Sequence, residues 1–283
     1  MDDLIKGKIY NVWEDYIGAK RAIYDLKGNS YKNIDFDNKR LDAIKDIKTI
    51  LSLFYDGSYD LATFKTTLDG YNKRNNFWGF PAAKGQMYFN LLTKASQGKL
   101  DALTELLKDV IKEPVDINDA IKKIERLELF TIKLSEISSD KRKSPNPSSV
   151  GYFLSYFWQI CNPIKWPIIY TSIIESFKAL NFGGDENGQS LNYKKFFLIN
   201  EDIKRFLSIK VNENLTNWDI EHCFWYFKGR PQTEPSTIQI ADPNSLNDLK
   251  NEPLSIKANF NIYDYIIPKV SKLIEIGEQE GMK

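Results

Sequence analysis

Between residues 61 and 100 six cations, Lys65, Lys73, Arg74, Lys84, Lys94 and Lys99, stand against one acid, Asp69. Tyr71, Phe77, Trp78, Phe80, Tyr88 and Phe89 are interleaved with them. Ammonium and guanidinium groups neutralise phosphates, and aromatic rings stack on unpaired or extruded bases. The pattern nominates Lys73, Arg74, Lys84 and Lys94 as phosphate contacts, with Trp78 or Phe80 as the stacking ring. The plainer alternative makes the lysines a solvated face and Phe77, Trp78 and Phe80 the plug of a core. Lys141, Arg142 and Lys143 form a second basic cluster that alone means little.

Other chemistry loses ground quickly. A P-loop needs Gly-Lys-Ser/Thr after a glycine-rich turn, so that amides cradle phosphates and a hydroxyl reaches magnesium. Here Lys84 precedes Gly85 and no hydroxyl follows. His222 is the sole histidine, which excludes His-rich metal sites. Beside Cys223 it suggests a thiol–imidazole pair, yet neighbours on a helix point about 100° apart. A packed or capped histidine is the better account. Asp46-Ile-Lys48 and Asp202-Ile-Lys204 match the acid-x-lysine spacing of metal-dependent nucleases, but both fall on helical patterns rather than strands. The expectation is a non-enzymatic chain with no catalytic residue, metal ligand or cofactor.

The elements that must position the basic stretch are helical. Tyr152, Phe153, Tyr156, Phe157 and Ile160 recur at helical spacing, with Trp158 widening the apolar face. Ser148 or Ser149 is the expected cap. Asn162-Pro163 stops this helix and Trp166-Pro167 bends the chain again. Ser172 and Glu175 read as a capping box opening the next helix. This aromatic hairpin, 150–180, is the expected core scaffold, since a helix so apolar is stable only when covered.

Ahead of it, residues 1–27 suit an amphipathic helix closed by Gly28-Asn29. A stripe of Leu41, Ile44, Ile47, Leu51 and Phe54 marks a second helix, and a third runs from Tyr59 to Leu68. Turn formers crowd 69–85. Leucines from 100 to 107 and isoleucines from 117 to 124 mark two more helices, the latter capped by Asp116. Ser138–Ser149 reads as an exposed connector. Past the hairpin, a helix pair around Tyr193–Leu207 and a helix capped by Asn217 follow. Residues 229–260 look irregular, and a last helix lies near Val270, Leu273 and Ile274. The fold class is mainly α, with subdomains at 1–140 and 150–283 or one continuous domain.

A 283-residue chain with 42% hydrophobic residues can bury a large core, and a net charge of +1 confines any nucleic-acid contact to local clustering. Cys161 and Cys223 are too few for a disulfide framework, which suits reduced thiols in the cytoplasm. The start MDDLIKGKIY lacks the basic and apolar regions of a signal peptide, and no stretch has the length of a membrane span.

Three segments resemble the N-terminal, non-motor regions of ATPases from McrBC-type restriction and related phage-defence systems. They are Lys65–Leu92, with Trp78-Gly79-Phe80 and Lys84-Gly85-Gln86-Met87-Tyr88-Phe89-Asn90; Tyr156–Ser172, with Asn162-Pro163 and Trp166-Pro167-Ile168; and Trp218-Asp219-Ile220-Glu221-His222. The resemblance implies a helical module that precedes an AAA-type motor and recognises DNA or a partner. The motor itself is absent. Asn162-Pro163 to Pro167-Ile168 is also faintly similar to helix-hairpin-helix glycosylases, but Tyr170 stands where those carry an acid. The expected function is a non-catalytic DNA-binding or DNA-sensing module of a defence system, with a motor or nuclease subunit as partner. The alternative is an assembly module that docks another subunit through the aromatic 70–90 loop, and a cryptic metal-dependent nuclease is a third.

Overall fold

Every residue from 150 to 160 is buried, and the rest of the chain packs around that helix. The computed structural model describes residues 1–24, 30–81, 85–138, 140–183 and 186–229. Over these residues the chain is mainly helical. The order is α1 (Asp3–Gly18), β1 (Ala22–Tyr24), β2 (Ser30–Lys32), α2 (Asn33–Tyr55), α3 (Leu61–Arg74), α4 (Gly85–Ala95), α5 (Leu100–Val110), α6 (Ile117–Ile137), α7 (Val150–Cys161), α8 (Thr171–Ala179), α9 (Gln189–Val211) and α10 (Asn217–Gly229).

α7 is apolar on all sides, so no face is left for water. Phe153 and Phe157 meet Phe80, Tyr88, Phe89 and Phe64 on one side. On another side Trp158 packs against Trp166 and Tyr193, with its indole N–H on the carbonyl of Val110 at 3.0 Å. Asn72 and Tyr156 exchange hydrogen bonds at 2.9 and 3.1 Å. One buried apolar cluster runs from Ile9 to Phe224, so the described parts of the two suggested subdomains share a core.

Several local expectations change. The first helix ends at Gly18 instead of running toward Gly28, because Lys20 and Arg21 adopt left-handed backbone angles (φ 62° and 57°). Arg21 is held there by Glu213 at 2.7 Å, and β1 then pairs antiparallel with β2 in the register Ala22↔Lys32, Ile23↔Tyr31 and Tyr24↔Ser30. α7 has no side-chain cap from Ser149; Asn146 accepts from the Ser148 amide instead, in the 3-10 turn before it. Ser172 lies inside α8, and Glu175 pairs with Lys228 at 2.8 Å rather than completing a capping box.

Asp116 does cap α6, accepting from the amides of Asn118 and Asp119. At α10 the cap is Thr216, which trades hydrogen bonds with Asp219, while Asn217 turns inward to Asn200 and to the carbonyls of Pro163 and Ile164. The stretch 138–149 is less free than its composition suggests. Ser144 and Pro145 are buried, and the Ser144 hydroxyl meets that of Ser135 at 3.2 Å. Arg142 and Lys143 remain exposed. The readings for 229–260 and for the helix near Val270 lie, from 230 on, outside the described residues.

Candidate nucleic-acid interface and the buried polar hub behind it

Lys73 and Arg74 form the last turn of α3, where cations complement the carbonyl end of a helix. Both are exposed, and neither makes an ion pair among the described residues. Lys94 occupies the last turn of α4 and is likewise exposed and unpaired among them. Lys84 lies outside the described residues. Lys65 is committed elsewhere: it binds Asp69 at 2.9 Å, one helical turn away.

The linear excess of charge is diluted in space. Tyr71 donates its hydroxyl to Asp46 of α2 at 2.9 Å, so an α2 carboxylate lies beside the end of α3. Partial burial and the Asp46 hydrogen bond push the Tyr71 hydroxyl up to about 12, against the nearby Arg74 charge. Acids distant in sequence therefore flank the cations that the 61–100 count isolated.

Trp78 and Phe80 are fully buried. A base reaches neither ring without opening the core, so in this fold they are packing residues and the stacking role assigned from sequence has no surface. Among the described residues no aromatic side chain counts among the large exposed hydrophobics. Phe77 is half-buried, edge-on to Phe36 and Trp78. Of the other aromatics in the 70–90 loop, Tyr88 and Phe89 are buried and Tyr71 is half-buried, while 82–84 lie outside the described residues.

The loop instead converges on a hub that composition does not reveal. Arg40 of α2 donates from Nε and Nη2 to the carbonyl of Phe77 at 3.0 and 2.9 Å, and from Nη2 to Glu221 at 2.6 Å. Tyr152 and Tyr170 both donate to the next carbonyl, that of Trp78, at 3.0 and 3.1 Å. The Trp78 indole donates to Gln159 at 2.9 Å, and Gln159 donates to Glu221 at 3.3 Å. Phe36, Trp78, Trp218 and Trp225 surround the guanidinium carbon at 4.8 to 5.4 Å from their ring centres. Burial opposes the Arg40 charge, but Glu221 and the neighbouring groups outweigh it and hold its pKa above the ordinary value.

Arg40 was legible in one respect. It falls on the same helical stripe as Ile44, Ile47, Leu51 and Phe54, where a charge demands a buried partner. Its Nη1 finds none among the described residues, nor do the Trp218 indole nitrogen and His222 Nδ1. His222 is buried and its Nε2 meets Asp37 at 2.7 Å; its partner is this carboxylate. Cys223 is a free thiol pushed far up by burial, which leaves little nucleophilic thiolate. Among the described residues no three His, Cys, Asp or Glu side chains cluster as metal ligands, and no helix is long and apolar enough to cross a membrane.

No family model, curated protein or solved structure matches the chain.

Proposed function

We propose that this chain is a non-catalytic module that binds DNA through its phosphate backbone, with Lys73, Arg74 and Lys94 as the contacts. The observation that carries the reading is the pair of exposed, uncommitted cations at the end of α3. The chain that follows them is clamped by Arg40, Tyr152 and Tyr170 on two successive carbonyls. The clamp fixes the backbone that follows the two cations, while their side chains are free to adjust to a phosphate. With Trp78 and Phe80 inside, the contact is electrostatic and indifferent to sequence.

The resemblance to McrBC-type N-terminal regions supports a role for such a module in a prokaryotic phage-defence system, in the cytoplasm, beside an AAA-type motor or nuclease subunit. Base recognition, on this reading, belongs to that partner or to a part of this chain away from the α3 end.

The test is fluorescence anisotropy with labelled duplex and single-stranded DNA over a salt series. Replacing Lys73, Arg74 and Lys94 with Gln leaves the fold intact, since exposed charges add little to stability. The slope of log affinity against log salt should flatten by about 0.9 for each duplex phosphate that is no longer neutralised. A wild-type chain with no affinity for either DNA at low salt overturns the proposal.

A further inference from the structure

α9 buries one face and leaves the opposite face uncovered. Tyr193, Phe196, Asn200, Ile203 and Leu207 point into the core. Leu198, Asp202, Arg205 and Ile209 succeed one another by four, three and four residues, which keeps them within about 60° of arc on the outer side. Leu198 is 50% exposed and Ile209 77%. Two apolar positions with a charged pair between them fall as the seam positions of a helix pair do. Beside them opens a groove of about 270 Å³ lined by Met1, Lys6, Asp202, Arg205, Phe206 and Ile209. The last four have the spacing of the hole into which a facing helix sets a side chain.

The charges decide what fits this face. Asp202 and Arg205 are paired with each other at 2.5 Å, one turn apart, yet their side chains stay 42% and 74% exposed. A carboxylate accepts from several donors and a guanidinium carries five N–H groups, so both keep capacity for an outside partner. Leu198 and Ile209 are centred on the point between residues 203 and 204, and so are Asp202 and Arg205. A second α9 laid antiparallel about that point sets the second copy's Ile209 against Leu198 and the second copy's Arg205 against Asp202. The two-fold axis then repeats both contacts. A parallel α9 in register sets acid on acid and guanidinium on guanidinium, which like-charge repulsion disfavours.

We infer that the outer face of α9 is a self-association surface, through which two copies of this chain pair antiparallel as a two-fold dimer. A net charge of +1 leaves little overall repulsion between copies. A seam one helix wide lies at the small end of specific interfaces, so the dimer forms at roughly micromolar concentration or above. The face shares no residue with Lys73, Arg74 and Lys94, so dimerisation stands or falls independently of DNA binding by α3 and α4.

The experiment is sedimentation equilibrium on the full chain, from micromolar concentration to about 1 mM. Wild type should pass from monomer to dimer over that range. Ile209→Glu, Arg205→Asp and Asp202→Arg change exposed side chains, so each should keep the fold by circular dichroism and weaken the dimer at least about tenfold. Arg205→Asp leaves the charged pair wholly acidic, and Asp202→Arg leaves it wholly basic. Mixing those two chains should therefore restore a dimer that neither forms alone. The double swap, Asp202→Arg with Arg205→Asp, should self-associate as wild type does, and so should the Lys73, Arg74 and Lys94 to Gln variant. A wild-type chain that stays monomeric at the top of the range, a dimer unmoved in a folded Ile209→Glu chain, or a mixture of the two charge variants that associates no better than either alone would each overturn the assignment.

Discussion

Arg40 is a fully buried charge paired with Glu221, and its cost is the cost of a desolvated charge. Breaking a buried ion pair by removing one member destabilises by roughly 3–5 kcal/mol, because the other charge is left unpaired. Arg40→Met should lower unfolding stability by about that much in urea denaturation, while Arg40→Met with Glu221→Leu recovers a large part of the loss. An Arg40→Met chain as stable as wild type would show that the pair does not hold the hub. Trp78 belongs to the same hub, and Trp78→Ala should cost roughly 3–5 kcal/mol as a large core truncation. Its DNA salt slope should match that of wild type, since the indole meets no phosphate.

The buried tyrosines give a pH signature. Burial raises the hydroxyls of Tyr88, Tyr152, Tyr156, Tyr170 and Tyr193 above their ordinary value. Their folded pKa exceeds the unfolded value of about 10, so their contribution is fully present below that pH and is lost as pH climbs toward the folded values. Stability should fall steadily above about pH 10, and tyrosinate absorbance should rise later in the native than in the denatured chain. Simultaneous titration of all tyrosines at the ordinary value would contradict their burial.

At the scale of elements, most helices were legible because their apolar residues recur at the helical period. The α2 stripe and the α7 hairpin are the clearest cases. The caps were less legible, since several side chains near a helix start can accept from its amides. Thr216 and Asn217 stand side by side, and only packing against α9 shows that Asn217 is spent on Asn200 and on the carbonyls of Pro163 and Ile164. Composition also marked Gly85 as a turn former, whereas it opens α4. A Cβ there would stand 2.8 Å from the Phe80 ring and 3.0 Å from that of Tyr152, both buried. Gly85→Ala should therefore destabilise by roughly 1–3 kcal/mol in thermal or urea unfolding, as overpacking does. A neutral or stabilising outcome would mean that the Phe80 ring has room to move.

At the scale of the whole molecule, the candidate site shows why linear charge is a poor map of surface charge. The 61–100 stretch holds six cations and one acid, yet folding brings Asp46 to Tyr71 at the end of α3 and commits Lys65 to Asp69. Among the described residues, what survives on the surface is Lys73, Arg74, Lys94 and Lys99. Trp78, Phe80, Tyr88 and Phe89 between them went inward and Phe77 is half-buried, because a chain of this size has ample helix faces to cover them. Sequence pattern could not separate a stacking ring from a core ring; the neighbours supplied by α7 do. The most direct measurement is the salt dependence of DNA affinity for wild type and for the Lys73, Arg74 and Lys94 to Gln variant, compared at matched folding. Wild type should bind measurably at low salt, and the variant should show a slope flatter by about 0.9 for each phosphate it leaves unneutralised. A variant that binds DNA with the wild-type slope would contradict it and place the interface elsewhere, with exposed Arg142 and Lys143 the next cations to replace.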